Sequence, residues 1–363
     1  MAQQLVGAKI VELEADTSGR WADFVRSRPG AVIYQHPQWA QVLARGYGFR
    51  TLALGCEDAS GTLLGVLPLG YTAGILRRRG LSSLPRTPSV GPLAVNGDVG
   101  KILMRAAIDR VRAESGIRLE IKVAETTYAG AVPDMVRVRW DATYVRELSG
   151  AAGELRFGTS RNHAQIERAV RKSRRVGVKV RAGDGEEDLW RWYQLYLETV
   201  RRHGVPPRPY TFFQAAWNIL SPGGMMRLLV AEEGSPSRVL AGSVFFAYGT
   251  TMSFAFNGSR GDALPLRPND AIHWQAIHDA QAGGFRYYDL GEVDAGNEGL
   301  ARFKTKWGAE PHWLYRYYYP AHGAPAHPRV EAGGHAKQLA RMIWRRVPIR
   351  ATAVIGGLLY RYL

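Results

Sequence analysis

The residues that could carry out chemistry are concentrated near position 300. Phe303 and Trp307 are four residues apart, so one face of a short helix can bury both aromatic rings. Lys304 then projects from a different face of an anchored scaffold, where its ammonium could meet a developing negative charge. The alternative interpretation is a solvated lysine on an amphipathic turn, because most charged residues on helices take no part in chemistry.

Acidic residues stand at the end of the strand that precedes this helix. The aromatic and apolar run Tyr287–Leu290 lies between glycines, which is typical of a buried strand. Asp289, Glu292 and Asp294 lie at or just beyond its end, where one carboxylate could orient an incoming ammonium or take its proton. A cap on the following loop explains Asp289 equally well. Lys306 is a second candidate for the cationic role, and spacing alone does not rank it against Lys304.

The positive charge of the chain is local. The formal net charge is +16, and residues 161–181 and 321–363 supply +7 and +6 of it. Such local excess favours a polyanionic partner or an anionic membrane face. A helix capped by Ser160 and running to about Val176 would place five cations on one face, where they could contact a phosphate backbone repeatedly; a solvated helix face is the alternative. These five cations are Arg161, Arg168, Arg171, Lys172 and Arg175.

The elements that position these residues indicate an α/β (α+β) fold built by duplication. Each half of the chain has a helical entry, a strand hairpin and then a helix with a further strand. The sequence predicts domains at 1–150 and 151–320, a linker rich in Ala, Pro, Gly and His at 321–336, and a basic amphipathic tail at 337–363. Within the first domain, the stretch 72–98 is rich in Gly, Pro, Ser and Arg and is predicted to form a loop. The tail could contact a membrane surface or pack back on its own domain.

Composition narrows the class of protein. Cys56 is the single cysteine, which points to a reducing compartment. We expect no signal peptide and no transmembrane helix, because the N-terminus lacks a charged start before an apolar core and no apolar run reaches about 18 residues. The nine histidines have no acidic partners at ligand spacing, so no metal site is expected. These features predict a cytoplasmic protein, with peripheral contact to the inner face of the plasma membrane through the tail as a further expectation.

Four motifs of the second half form a pattern that is known from one family. The pattern resembles the Fem-type (FemABX) peptidyltransferases and their acetyltransferase-like relatives over roughly residues 30–320, and the block Gln35–Trp39 resembles their N-terminal half. Its most specific mark is the phenylalanine–lysine pair followed by an aromatic–glycine pair. The motifs are Phe256-Asn257-Gly258-Ser259, Pro268-Asn269, Tyr288-Asp289-Leu290-Gly291 and the run from Gly299 to Pro311.

The resemblance implies two tandem GNAT-like domains, each a mixed, mostly antiparallel sheet flanked by helices. It implies transfer of an amino acid from aminoacyl-tRNA to an amine of a nucleotide- or lipid-linked peptidoglycan precursor, with Lys304 aligned to the family's catalytic lysine. Two departures concern Phe256, where the family often has tyrosine, and the missing coiled-coil insertion, which leaves tRNA binding resting on charge. The expected catalytic residues are Lys304 and Asp289. The expected substrate-binding residues are Trp39, Asn257, Asn269, Glu292, Phe303 and Lys306.

Two other functions stay open at this point. An aminoacyl ester is already activated, so its transfer needs a positioned amine and a stabilised oxyanion but no cofactor. A GNAT-like domain also suggests acyl-CoA as the donor for an N-acyltransferase acting on an exopolysaccharide or secondary metabolite. The loop 260–269, however, has one glycine and two prolines, whereas a pyrophosphate cradle needs several free backbone amides. A non-catalytic RNA- or membrane-binding module is the third possibility.

Overall fold

The computed structural model divides the chain into two compact units. The chain passes from the first unit to the second between residues 142 and 143 and returns between 312 and 313. The predicted boundary near residue 150 stays a prediction, and the predicted linker and tail lie largely outside the described residues. The structure describes residues 7–15, 19–73, 79–114, 117–124, 132–148, 155–294 and 296–322, with isolated positions elsewhere.

In its described residues, the first unit is an antiparallel sheet with one parallel pair, flanked by three α-helices. Its strands are β1 (Lys9–Leu13), β2 (Thr51–Glu57), β3 (Leu63–Ala73), β4 (Arg79–Ser82), β5 (Leu93–Ala94) and β6 (Arg118–Val123). Its helices are α1 (Gly19–Arg26), α2 (Pro37–Tyr47) and α3 (Gly97–Ala113). Strands β1 to β4 pair in antiparallel fashion in that order, and β6, which follows α3, lies parallel to β4.

The second unit repeats this order. Two strands contribute residues to both units, namely β7 (Val136–Glu147) and β13 (Glu310–Tyr319). The other strands are β8 (Lys179–Ala182), β9 (Met226–Glu233), β10 (Arg238–Tyr248), β11 (Thr251–Ser259) and β12 (Tyr287–Val293). The helices are α4 (Ser160–Arg175), α5 (Gly185–His203), α6 (Tyr210–Leu220), α7 (Pro268–Ala282) and α8 (Glu298–Lys306).

The pairing of strands in the second unit mirrors that of the first. Strands β8 to β11 pair in antiparallel fashion in order, and β12, which follows α7, lies parallel to β11. In each unit a meander is therefore followed by a crossover helix and a parallel strand. The predicted duplication and the mixed, mostly antiparallel sheets flanked by helices are confirmed.

Two glycines let α5 pack directly on the sheet of the second unit. A Cβ at Gly258 would lie 2.5 Å from the backbone nitrogen of Tyr196, and a Cβ at Gly242 would lie 2.7 Å from Cδ1 of Trp192. The helix brings Leu189, Trp192 and Tyr196 to this contact because they recur at helical spacing. The close approach positions β11, which pairs with β12, the strand that contributes to the candidate site.

Three predictions about local structure need correction. The stretch 72–98, predicted as a loop, contains β4 and β5 and the first residues of α3. The Gly and Arg content of this stretch indicated a loop where β4 lies. Strand β4 forms because its pairing with β3 outweighs its low local strand propensity. Helix α4 is capped by the side chain of Thr159 rather than by Ser160, and β12 extends to Val293, three residues beyond its predicted end. No helix in the described part of the chain is long and apolar enough to cross a membrane.

Candidate active site

Lys304 is buried inside the second unit. It lies on α8, a short helix that begins after Asn297, whose side chain accepts a hydrogen bond from the backbone of Leu300. Only 3% of Lys304 is exposed, so the interpretation of a solvated lysine is wrong. Its ammonium donates to the carbonyl oxygens of Gly291 at 2.8 Å and Glu292 at 2.9 Å. An ammonium has three donors, so these two bonds leave one for a further acceptor.

The two carbonyls are available to Lys304 because of the way β11 and β12 separate. Their parallel pairing runs over three residue pairs, from Thr251–Tyr287 to Ser253–Asp289, although both strands continue further. Gly291 lies just beyond the paired segment with a φ of +81°, a left-handed conformation that favours glycine. Separated strands in a sheet leave peptide groups without ladder partners, and here the buried ammonium binds two of them.

Burial lowers the pKa of Lys304 from its ordinary value of 10.5 to about 8. Desolvation is the largest cause, and the nearby carboxylates of Asp289, Glu292 and Asp294 oppose it. The ammonium is therefore still the main form near neutral pH, but it can lose its proton at mildly alkaline pH. A cation in a largely dehydrated position interacts more strongly with a developing oxyanion than one in water.

Asp289 lies beside this ammonium and is held by two hydrogen bonds. The hydroxyl of Thr143 donates to its Oδ1 at 2.6 Å, and the backbone N–H of Gly291 donates to the same oxygen at 2.8 Å. Burial raises the pKa of Asp289, against the opposing effects of Thr143, Gly291, Lys304 and His312. The carboxylate thus caps the turn, as one interpretation held, and it is also a better proton acceptor than an exposed aspartate.

An aromatic platform lies around the lysine helix. Trp307 is fully buried, and Phe303 packs against the same core. The ring of His273 contacts both, with centroid distances of 5.5 Å to Phe303 and 5.4 Å to Trp307. His273 shares a hydrogen bond of 2.9 Å with the hydroxyl of Tyr288, and burial lowers its pKa to about 3. His273 is therefore neutral and supports the helix without adding charge.

The structure distinguishes the two lysines that sequence spacing left unranked. The ammonium of Lys306 forms an ion pair with Asp270 at 2.9 Å, and both side chains are largely buried. Lys306 therefore has a direct counter-ion, whereas the hydrogen-bond partners of Lys304 are two neutral carbonyls, with carboxylates near its ammonium but not bonded to it. Asn269 precedes Asp270, and its buried Oδ1 atom has no hydrogen-bond partner. An amide at that position could accept a bond from a substrate amine or hydroxyl.

The remaining predicted substrate residues fall in different places. Asn257 is on β11 and accepts a hydrogen bond from Ser243 at 3.1 Å, and Glu292 contributes its backbone oxygen to Lys304. Trp39 belongs to the first unit, where it is 2% exposed and its indole donates to Thr87 at 2.9 Å. A packing role in that core accounts for Trp39. Among the described residues, no group of His, Cys, Asp and Glu could hold a metal ion.

The five cations predicted to share a helix face do so on α4. The side of the helix with Ile166, Val170 and Ser173 is buried, and the five cations are all exposed on the other side. Within the described ranges, none of them forms an ion pair with a carboxylate. Helix α4 rises 1.5 Å per residue, so the first and last of these cations are roughly 21 Å apart along the axis. The five are Arg161, Arg168, Arg171, Lys172 and Arg175.

Sequence reasoning missed the roles of Thr143 and Asp270 beside the two lysines, and it gave the backbone of Gly291 no role in the site. Thr143 is 146 positions from Asp289, and Asp270 is 36 positions from Lys306, so no local pattern joins these pairs. The one available signal was Gly291, because an isolated glycine inside a strand pattern suggests a bulge or a close approach of the backbone.

Comparisons with known proteins agree with this architecture. Residues 160–305 match the family model described as an acetyltransferase (GNAT) domain. The chain is 25% identical over 126 residues to the UDP-N-acetylmuramoylpentapeptide-lysine N(6)-alanyltransferase of Weissella viridescens. That alignment covers 35% of this chain and 36% of the relative, so it spans well under two thirds of the relative's length.

Solved structures share the fold over most of the chain. The crystal structure of FemX matches with a TM-score of 0.62 at 16% identity, covering 86% of this chain and 97% of that one. A tandem GNAT protein from the clavulanic acid biosynthesis pathway matches with a TM-score of 0.51 at 13% identity, covering 86% and 97%. Together with the curated relative, these matches confirm the resemblance recognised from the motifs around Lys304.

Proposed function

We propose, from the premise that the chain is of the FemABX type, that it transfers an aminoacyl group from aminoacyl-tRNA to an amine of a peptidoglycan precursor. The observation that carries the proposal is the buried ammonium of Lys304, held on two carbonyls with one donor left. The curated relative is named as an alanyltransferase acting on such a precursor, which supports the acceptor class. The cationic face of α4 supports a polyanionic donor.

In the proposed reaction, the acceptor amine attacks the carbonyl carbon of the aminoacyl ester. A carbon–nitrogen bond forms, negative charge develops on the carbonyl oxygen, and the remaining donor of Lys304 stabilises that oxyanion. The carbon–oxygen bond to the ribose then breaks. The amine loses one proton and the ribose oxygen gains one, so Asp289, with its raised pKa, needs only to relay a proton between them.

The donor would be held by its phosphates rather than by its bases. Phosphate contacts from arginine and lysine position a nucleic acid without reading its sequence. The five exposed cations of α4 supply such contacts along a straight line. The proposed site therefore binds many tRNAs, and the aminoacyl group and acceptor decide which product forms.

The test is transfer from a pool of charged tRNAs to a precursor containing lysine or ornithine, with the product identified by mass spectrometry. Wild-type protein should form an amide whose mass exceeds that of the precursor by one amino acid residue. Lys304→Met should lower kcat by about 10²- to 10³-fold, the typical loss on removing one oxyanion donor.

The experiment includes a control variant and a control donor. Lys101→Met removes a lysine from an exposed ion pair on α3 and should leave the rate unchanged. Parallel reactions replace charged tRNA by acyl-CoA. Product from acyl-CoA and none from any charged tRNA would rule out the proposed donor and favour the N-acyltransferase alternative. Tight tRNA binding without product from either donor would favour the non-catalytic module.

A further inference from the structure

Arg146 is a buried arginine of β7 that the proposed mechanism does not use. Its residue is 7% exposed. One terminal nitrogen, Nη1, donates to the carbonyl of Trp307 at 2.5 Å, and the other, Nη2, donates to the carbonyl of Arg156 at 2.7 Å. The guanidinium also lies over the ring of Phe157, 4.7 Å from its centroid. Its two arms therefore join two backbone segments that are about 150 residues apart in the chain.

Among the residues that the structure describes, no carboxylate pairs with this guanidinium. Within the described part of the chain Arg146 forms no ion pair, its Nε atom has no partner, and burial lowers its pKa to about 10. A buried cation without a counter-ion is costly, and apolar residues of similar volume often stabilise a core better. The position of the guanidinium, rather than stability, is therefore the property to explain.

The two segments that Arg146 joins belong to the two functional helices. Trp307 directly follows α8, which carries Lys304, and its carbonyl is one of those that a helix end leaves without an intrahelical partner. Arg156 lies in the segment that leads into α4, the helix with the cationic face. A planar guanidinium suits this arrangement because it presents two donors in a fixed geometry, which an ammonium does not.

Two glycines bring the same segments into backbone contact. A Cβ at Gly308 would lie 2.6 Å from Nη1 of Arg146 and 3.1 Å from the backbone nitrogen of Gly158. A Cβ at Gly158 would lie 3.0 Å and 3.1 Å from the carbonyl oxygens of Lys306 and Thr305. Both glycines have positive φ values, +79° and +52°. The segment before α4 and the turn after α8 therefore pack so closely that a side chain at either glycine would press on the backbone of the other segment.

We propose that Arg146 is a positioning residue that fixes α8 against the start of α4, so that a phosphate backbone bound on α4 is held in register with Lys304. The inference rests on the proposed function, because it takes the face of α4 as the donor-binding surface. The phosphates of the donor are bound on α4, whereas its ester must reach Lys304 on α8. A misplacement of about 1 Å between such elements can lower a rate by about 10²-fold.

The kinetic test separates positioning from binding. Arg146→Gln should lower kcat for transfer by about 10- to 100-fold while the KM for charged tRNA changes less than about threefold. In a Lys304→Met background the same substitution should have little further effect on kcat, because Arg146 acts through that lysine. Equal, multiplicative losses in both backgrounds would overturn the proposal.

Three further variants guard against simple misfolding. Arg146→Lys keeps the buried charge but replaces the fork by a compact ammonium, and it should show most of the loss in kcat. Gly158→Ala disturbs the junction from the α4 side and should give the same split between kcat and KM. The control is Arg286→Gln. It removes an exposed arginine that pairs with Glu147, the residue next to Arg146 in the chain, and the variant should behave as wild type.

Hydrogen exchange measures the coupling without catalysis. Deacylated tRNA (tRNA that carries no amino acid) should slow amide exchange in both α4 and α8 when it binds the wild-type protein. When it binds Arg146→Gln, it should slow exchange in α4 alone. Protection of α4 without any protection of α8 in the wild type would overturn this inference and leave the proposed function standing. Failure of tRNA to bind the wild type would overturn the proposed donor, and this inference with it.

Discussion

The clearest consequence of the buried lysine is that it should make the stability of the fold depend on pH in the alkaline range. The pKa of Lys304 falls from 10.5 to about 8 on burial. Below pH 8 the lysine is charged in both the folded and unfolded states, so the folded state carries the full cost of burying the charge. The gap between the two pKa values corresponds to about 3 kcal/mol.

This cost should disappear as the pH rises. Between about pH 8 and 10.5 the folded protein loses the proton of Lys304 before the unfolded chain does, so the free energy of unfolding rises with pH. Lys304→Met has no such group. The difference in unfolding free energy, wild type minus variant, should therefore increase by about 3 kcal/mol between pH 7 and pH 10.5.

Urea unfolding of both proteins at several pH values measures this difference, and other titrating groups cancel between the two proteins. Lys101→Met is the matched control, because Lys101 is in an exposed ion pair and its removal should leave the difference flat. A difference that stays within about 0.5 kcal/mol over the whole range would refute the reasoning. It would mean that Lys304 titrates near its ordinary pKa and is hydrated.

The other predictions concern the proton acceptor, the donor surface and the fold. Asp289→Asn keeps the shape of the turn but removes a carboxylate that raises the pKa of Lys304. The pH at which the transfer rate falls to half its maximum on the alkaline side should therefore move below 8, which a pH–rate profile measures. Replacing Arg168 and Arg175 together by glutamine should weaken tRNA binding and make its salt dependence shallower by roughly 1.5 in the slope of log K against log salt, measured by filter binding. Gly258→Ala places a Cβ 2.5 Å from backbone in α5, so urea unfolding should show a loss of about 1–3 kcal/mol, whereas Gly30→Ala, which meets nothing within 4 Å, should show little change.

Patterns that repeat along the chain predicted the fold well. The meander of the second unit follows from three apolar runs separated by short turns, and α4 follows from a 3.6-residue period that also places its cations on one face. Strand β4 was missed because its residues have low strand propensity. It exists because Tyr71 and Leu81 are paired across the first unit.

The candidate site was only half predictable. The Phe303-Lys304 motif marked the right residue, but its burial depends on carbonyls 12 and 13 positions away that are exposed only where β11 and β12 separate. The tie between Arg146 and Trp307 spans 161 positions. Contacts at such separations leave no periodic trace in one sequence, so charge states and positioning residues had to come from the structure.

In the proposed mechanism, the charged form of Lys304 stabilises the transition state of aminoacyl transfer. The most direct test is the ratio of single-turnover transfer rates, wild type to Lys304→Met, from pH 6 to pH 10, because titration of the acceptor amine cancels in the ratio. The ratio should be about 10²–10³ at neutral pH and should fall about tenfold per pH unit above about 8. A ratio that is near one throughout, or that rises above pH 8, would contradict the claim.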